Sequence, residues 1–148
     1  MKEAKKLAEL TPKIMNAFHD LGRHHPSGAK LSMRQYQTLI ILKASGSLTL
    51  SQLCKKLNLA PSTGTELVNR MITAGYIQKE HEQPDQRQVL LSVSPKGLEL
   101  MEKRKEETTD MFSKFLSKLS SDEDRKNFVS CFEQIWNLLR SHQPKNSE

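Results

Sequence analysis

The sequence predicts a mainly α chain with a small β-hairpin wing, and three observations predict it. Four helix starts are marked by capping residues, apolar residues recur at helical spacing along most of the chain, and only Ile77 to Glu82 and Gln88 to Val93 carry the pattern of strands. The 148 residues suit one compact domain, or one small domain with added helices, burying roughly 68–70% of the unfolded surface.

From Glu3 to Arg23, residues Leu7, Leu10, Ile14, Phe18 and Leu21 stand three and four apart and share one helical stripe. Thr11-Pro12 falls inside that stripe. Proline lacks the N–H and crowds the preceding turn, so a kink or a fresh start is expected there. The loop His24-His25-Pro26-Ser27-Gly28 ends the segment.

Three later starts share Ser or Thr followed three residues on by Gln or Glu: Ser32 with Gln35, Thr49 with Gln52, and Ser120 with Glu123. Each is read as a capping box that satisfies two orphan backbone donors. A fourth start, Ser94-Pro95, sets an N-cap before proline at the first helical position. These signals place helices at about 32–44, 50–57, 61–74, 95–119 and 121–141. The two strands flank a turn containing Pro84 and Asp85, and Leu48-Thr49-Leu50 adds a third, very short strand. The tail from His142 to Glu148 is the candidate for disorder. Four helices, a hairpin and two helices describe a winged helix inserted between terminal helices.

There are 23 Lys and Arg against 17 Asp and Glu, a net charge of +6 with pI near 9.4, which favours a polyanionic partner without proving one. Cys54 and Cys131 are too few and too far apart for a disulfide framework or a zinc cluster, and fit a reducing cytoplasm. No apolar run is long enough to cross a bilayer and the N-terminus has no signal-like apolar block, so a soluble cytoplasmic protein with no membrane partner is expected. His19, His24, His25, His81 and His142 are scattered, with no His-x-x-x-His pair for a structural metal. Neither a nucleophile with a partnered base nor a phosphate-binding glycine loop occurs. The expectation is therefore no enzyme, no catalytic residues and no cofactor.

Between Pro61 and Gly75, Leu67, Val68, Met71 and Ile72 form an apolar face that leaves Ser62, Thr65, Glu66, Asn69, Arg70 and Thr73 outward. Short hydroxyls and amides near a helix N-terminus suit entry into a DNA groove, where long chains would hold the helix off the bases. A plain solvated helix face has the same pattern. Leu50, Leu53 and Leu57 line the preceding helix, and the short turn Asn58-Leu59-Ala60-Pro61 makes the pair a helix-turn-helix. At the hairpin tip Arg87 has no apolar surface near it in sequence. Asp85 can brace its guanidinium toward an adjacent minor groove, or the two make a surface ion pair worth ~0–1 kcal/mol.

These residues resemble the MarR family of bacterial transcriptional regulators, dimeric winged-helix proteins. The run from Asp85 through Arg87, the apolar strand to Val93, the hydroxyl cap Ser94 and Gly97 is similar to the family's wing signature, and Ala74-Gly75-Tyr76-Ile77 to its turn into the wing. The resemblance implies DNA contacts from Ser62, Thr63, Thr65, Glu66, Asn69, Arg70, Asp85 and Arg87. Three positions depart from it: Glu66 stands where many members are basic, Gly64 where they are apolar, and Lys79 where they often carry arginine. Glu66 is expected to accept from cytosine N4 and to repel phosphate, and Gly64 to soften its helix by ~1 kcal/mol relative to alanine.

Apolar stripes at Leu7 to Leu21 and at Phe128, Phe132, Ile135, Trp136 and Leu139 exceed what a lone winged helix needs. The resemblance assigns them to a homodimer, dividing 1–148 into a winged-helix lobe at 31–97 and dimerisation helices at 1–25 and 98–141. The charged helix after Pro95 becomes a strut between lobe and dimer. The family's function is binding of double-stranded DNA at a pseudo-palindromic operator, commonly as a repressor, with release by a small aromatic or anionic effector. Met15, Phe18, His19, Tyr36 and Leu39 are the residues placed to line an effector crevice, or they are ordinary core. Two alternatives stand beside this: a winged-helix protein-interaction adaptor, and a thiol-based redox regulator using Cys54 or Cys131. Oxidant sensing through a first-helix cysteine is disfavoured, because Met1 to Arg23 holds none. Both cysteines are read as small buried apolar residues.

Overall fold

The computed structural model describes residues 1–23, 31–80 and 88–142. Its elements run α1 (Lys2–Arg23), α2 (Met33–Ser45), β1 (Leu48–Thr49), α3 (Leu50–Leu57), α4 (Pro61–Thr73), β2 (Ile77–Glu80), β3 (Leu90–Val93), α5 (Pro95–Leu116) and α6 (Asp122–His142). The loop at His24 to Gly28 and the tail beyond His142 lie outside the described residues, as do Asp85 and Arg87. The chain divides into two units, Met1–Lys105 and Glu106–Glu148.

In the first unit, two capping boxes form as their spacing requires. The Ser32 hydroxyl accepts from the Gln35 N–H at 3.2 Å while Gln35 Oε1 accepts from the Ser32 N–H at 2.9 Å. Thr49 and Gln52 repeat the exchange, so α2 and α3 begin where their first orphan donors are satisfied. The end of α3 is set by Asn58, whose φ of 52° is the left-handed conformation that asparagine tolerates at a helix stop. There the Arg34 guanidinium donates to the Leu57 carbonyl at 3.2 Å, tying α2 to the last turn of α3.

The sheet is antiparallel with strand order β1-β3-β2, Leu48 pairing with Leu91 and Ile77 with Val93. Alternation along these strands sends Leu48, Ile77 and Leu91 into a core completed by Leu39, Leu42, Leu53, Leu57, Val68, Met71 and Met101. That core sits beneath α2, α3, α4 and the first turns of α5. It leaves one face of α4 free.

Three expectations about helix bounds are corrected. The fresh start expected at Pro12 is not made, since α1 runs as one helix from Lys2 to Arg23. Every side chain up to Leu21 is exposed, so the carbonyl deprived of a donor stays open to water, and the Thr11 hydroxyl donates to Leu7 O at 2.8 Å. Next, α5 stops at Leu116, three residues short of the expected end. Third, α6 is capped by Ser121 rather than Ser120: Ser121 Oγ accepts from the Asp124 N–H at 3.0 Å and donates to the Asp124 carboxylate at 2.8 Å.

The second unit holds the end of α5 and all of α6. Arg125 donates to the carbonyls of Leu116 and Leu119, both at 3.2 Å, and pairs with Asp122, closing the turn between the two helices. Phe112, Phe132 and Phe128 pack in sequence, with ring centroids 5.8 and 5.1 Å apart. Cys131 is exposed on α6, against the expectation of burial, while Cys54 in the first unit is buried as expected.

Candidate nucleic-acid interface

Helix α4 owes its start to Pro61, whose fixed φ fits the first helical position, after Ala60 in extended conformation. Alanine brings no side-chain oxygen, so the first-turn amides of Ser62 and Thr63 receive no cap from it. Such amides, at the positive end of the helix dipole, are suited to a phosphate oxygen.

The inward side of α4 is Gly64, Val68 and Met71, buried against the core, with Leu67 and Ile72 partly covered. Helical spacing then forces Ser62, Thr63, Thr65, Glu66, Asn69, Arg70 and Thr73 outward, and all seven are exposed. This is the six-residue face drawn from the sequence, with Thr63 added to it. The Thr65 hydroxyl donates back to Pro61 O at 2.8 Å, which leaves its lone pairs to face outward. Glu66, Asn69, Arg70 and Thr73 border one shallow depression along the helix.

Glu66 is not a lone carboxylate. Its Oε1 lies 2.6 Å from an Arg70 guanidinium nitrogen, one turn further along the same face. The two side chains are about two-thirds exposed, so the pair adds little stability, yet each charge partly cancels the field the other would present alone. The expected repulsion of phosphate by Glu66 is accordingly offset by a neighbour that sequence spacing of four residues could have identified.

Between α4 and the wing strands, Thr65, Asn69 and Ile72 face Lys79, Val89 and Leu91 across a small cleft. The foot of the wing is thereby placed beside the outward face of α4, and its strands end at Glu80 and begin again at Leu90. The Arg87 and Asp85 that the sequence places at the tip belong to the segment outside the described residues.

The MarR family model matches residues 31–89, a span holding α2, the helix-turn-helix and the first wing strand, β2, and ending just before β3. Over those residues the chain is similar to the MarR family. A MarR family protein from Bacillus stearothermophilus is 24% identical and superposes with a TM-score of 0.77, covering 94% of this chain and 96% of that one. FabT of Streptococcus pneumoniae, solved in complex with DNA, is 20% identical with a TM-score of 0.68 over 93% of this chain and 97% of its own. The HTH-type transcriptional regulator TtmR of Methylorubrum extorquens is 30% identical over 81 residues, which span 55% of this chain but 40% of that regulator.

The five residues read as an effector crevice are distributed as follows. Leu39 is fully enclosed by the core, and Tyr36 is partly buried with the Arg104 guanidinium 5.5 Å from its ring centroid. Met15, Phe18 and His19 are exposed on α1, with His19 3.8 Å from the Asp20 carboxylate. Among the described residues no group of three or more His, Cys, Asp or Glu is arranged to hold a metal ion, and no helix is long and apolar enough to cross a membrane.

Proposed function

We propose that this chain is a MarR-family regulator that acts as a homodimeric DNA-binding repressor. In this reading α4 enters the major groove of each half of a pseudo-palindromic operator, Arg87 braced by Asp85 reaches the adjacent minor groove, and a small aromatic or anionic effector releases the complex. The observation that carries the reading is the outward face of α4: seven exposed polar side chains on a helix whose other side is locked into the core, beginning in uncapped amides. Exposed Lys55 and Lys56 on α3 and the net charge of +6 supply the attraction to phosphate.

Apolar side chains left in water supply the case for a dimer. Leu7 and Ile14 on α1 are at least half exposed, and so are Ile135, Trp136 and Leu139 on α6. Exposed apolar rows of this kind mark an interaction surface.

A mobility-shift titration against the chain's own upstream promoter DNA tests the reading. Binding is expected to fall steeply with salt, with half-sites about one helical turn, ~34–36 Å, apart. Arg87→Ala is expected to weaken it greatly; unchanged affinity removes the wing from the mechanism. No shift at low salt by the wild-type dimer removes DNA binding altogether.

A further inference from the structure

The C-terminal end of α4 is fastened to the first turn of α5 by polar contacts away from the outward face of α4. Ser94, between β3 and α5, is buried and uses its hydroxyl twice: it donates to Gly75 O at 2.5 Å and accepts from the Gly97 N–H at 3.0 Å. Its own N–H donates to Tyr76 O at 3.1 Å. Lys96 Nζ donates to Ala74 O at 2.9 Å and lies 5.3 Å from the Tyr76 ring centroid.

Residues 74–76 are where the chain leaves α4, and 94–97 are where it enters α5. Ala74 and Gly75 therefore offer carbonyls at the negative end of the α4 dipole, and α5 answers with a hydroxyl and an ammonium. The approach is close enough that a Cβ at Gly97 would collide with Tyr76 O and crowd Val93. Gly75 turns the chain with φ of 80°, a conformation that glycine adopts without strain.

We infer that Ser94 and Lys96 are positioning residues of the DNA-reading helix, locking the angle of α4 to α5 so that the two turn as one piece; the inference rests on the DNA-binding reading above. Leverage is the physical reason. A 13-residue helix is ~20 Å long, so a pivot of about 10° at its C-terminal end moves Ser62 by ~3 Å, more than a hydrogen bond to a base edge tolerates. Sequence-specific contacts are lost by such a swing. Attraction to phosphate, which is diffuse, is not.

The test compares two duplexes: one that the wild-type protein selects from a randomised library, and a scrambled duplex of equal length. Ser94→Ala and Lys96→Met are each expected to bind the selected duplex roughly tenfold more weakly, the scale of one misread base pair. Affinity for the scrambled duplex is expected to stay within about twofold, with an unchanged salt slope. Ser94→Thr, which keeps the hydroxyl, is expected to match wild type. Lys96→Met is an exposed change, so it decides the matter should Ser94→Ala fail to fold. Equal loss on both duplexes with a salt slope reduced by about one shows a phosphate contact at Lys96 and overturns the inference. So does wild-type discrimination by both variants. Selection of no duplex by the wild-type chain overturns the DNA-binding reading itself.

Discussion

The sulfur of Cys54 occupies the place where a side chain at Gly64 would begin. A Cβ built on Gly64 collides with Cys54 Sγ, while the Cys54 Cβ is at an ordinary 3.6 Å. The helix-turn-helix is thus closed by a glycine on α4 fitted against a thiol on α3, and the glycine is a packing residue as well as a softening one. Alanine at 64 gains ~1 kcal/mol of helix propensity but meets overpacking worth ~1–3 kcal/mol. Gly64→Ala is expected to destabilise by about 1 kcal/mol net, and Cys54→Ala by about as much through the void it leaves. Combined, the two changes should return to within ~1 kcal/mol of wild type, because the remaining neighbour is at contact distance. Urea denaturation of the four proteins measures the coupling; strictly additive losses would sink the idea.

That pair also shows where the sequence stops being legible. Caps at Ser32, Thr49 and Ser94 located their helices because the signal is local, a hydroxyl and the amide three residues on. Ser120 and Ser121 are each followed three residues on by an acid, so local pattern left a tie, which Arg125 decides by claiming the carbonyls of Leu116 and Leu119. Gly64 shares its helical face with Val68 and Met71, yet a face drawn by apolar type alone skips a glycine. A glycine inside an otherwise apolar helical face was the available sign of close approach. Lys96 gave no comparable sign, since its partner Ala74 is 22 residues away.

Stability should rise, or hold, when Ser92 loses its hydroxyl. Ser92 is buried on β3 and its Oγ has no hydrogen-bond partner among the described residues. An unmet buried hydroxyl costs ~1–3 kcal/mol, whereas the methyl of alanine fits the same space. Ser92→Ala is therefore expected to be neutral or stabilising by up to ~1 kcal/mol, read as an unchanged or raised melting temperature. A loss above ~1 kcal/mol would mean that the hydroxyl is engaged after all.

Trp136 on α6, 58% exposed, is expected to be a dominant residue of the proposed dimer. Large aromatic side chains carry a disproportionate share of association energy. Trp136→Glu places a charge in that surface, and sedimentation should show monomers at concentrations where the wild type is dimeric. Helical content should persist, because the side chain is already in water within the single chain. An unchanged sedimentation coefficient would move the interface elsewhere.

Glu66 and Arg70 should behave as one unit in DNA binding. In the free protein the carboxylate accepts from the guanidinium at 2.6 Å, so neither charge acts alone on a phosphate. Glu66→Gln keeps the shape, removes the negative charge and releases Arg70, so affinity for DNA of any sequence should rise. If Arg70 then gains one phosphate, the salt slope steepens by about one, while selectivity narrows because the gain is blind to sequence. Arg70→Ala should do the reverse and more, leaving a bare carboxylate on the outward face of α4. In the double variant Glu66→Gln/Arg70→Ala much of that loss should be recovered. Fluorescence anisotropy across a salt series measures all three, and a Glu66→Gln protein that binds scrambled DNA no better than wild type would show that the carboxylate has no hold on Arg70 at the interface.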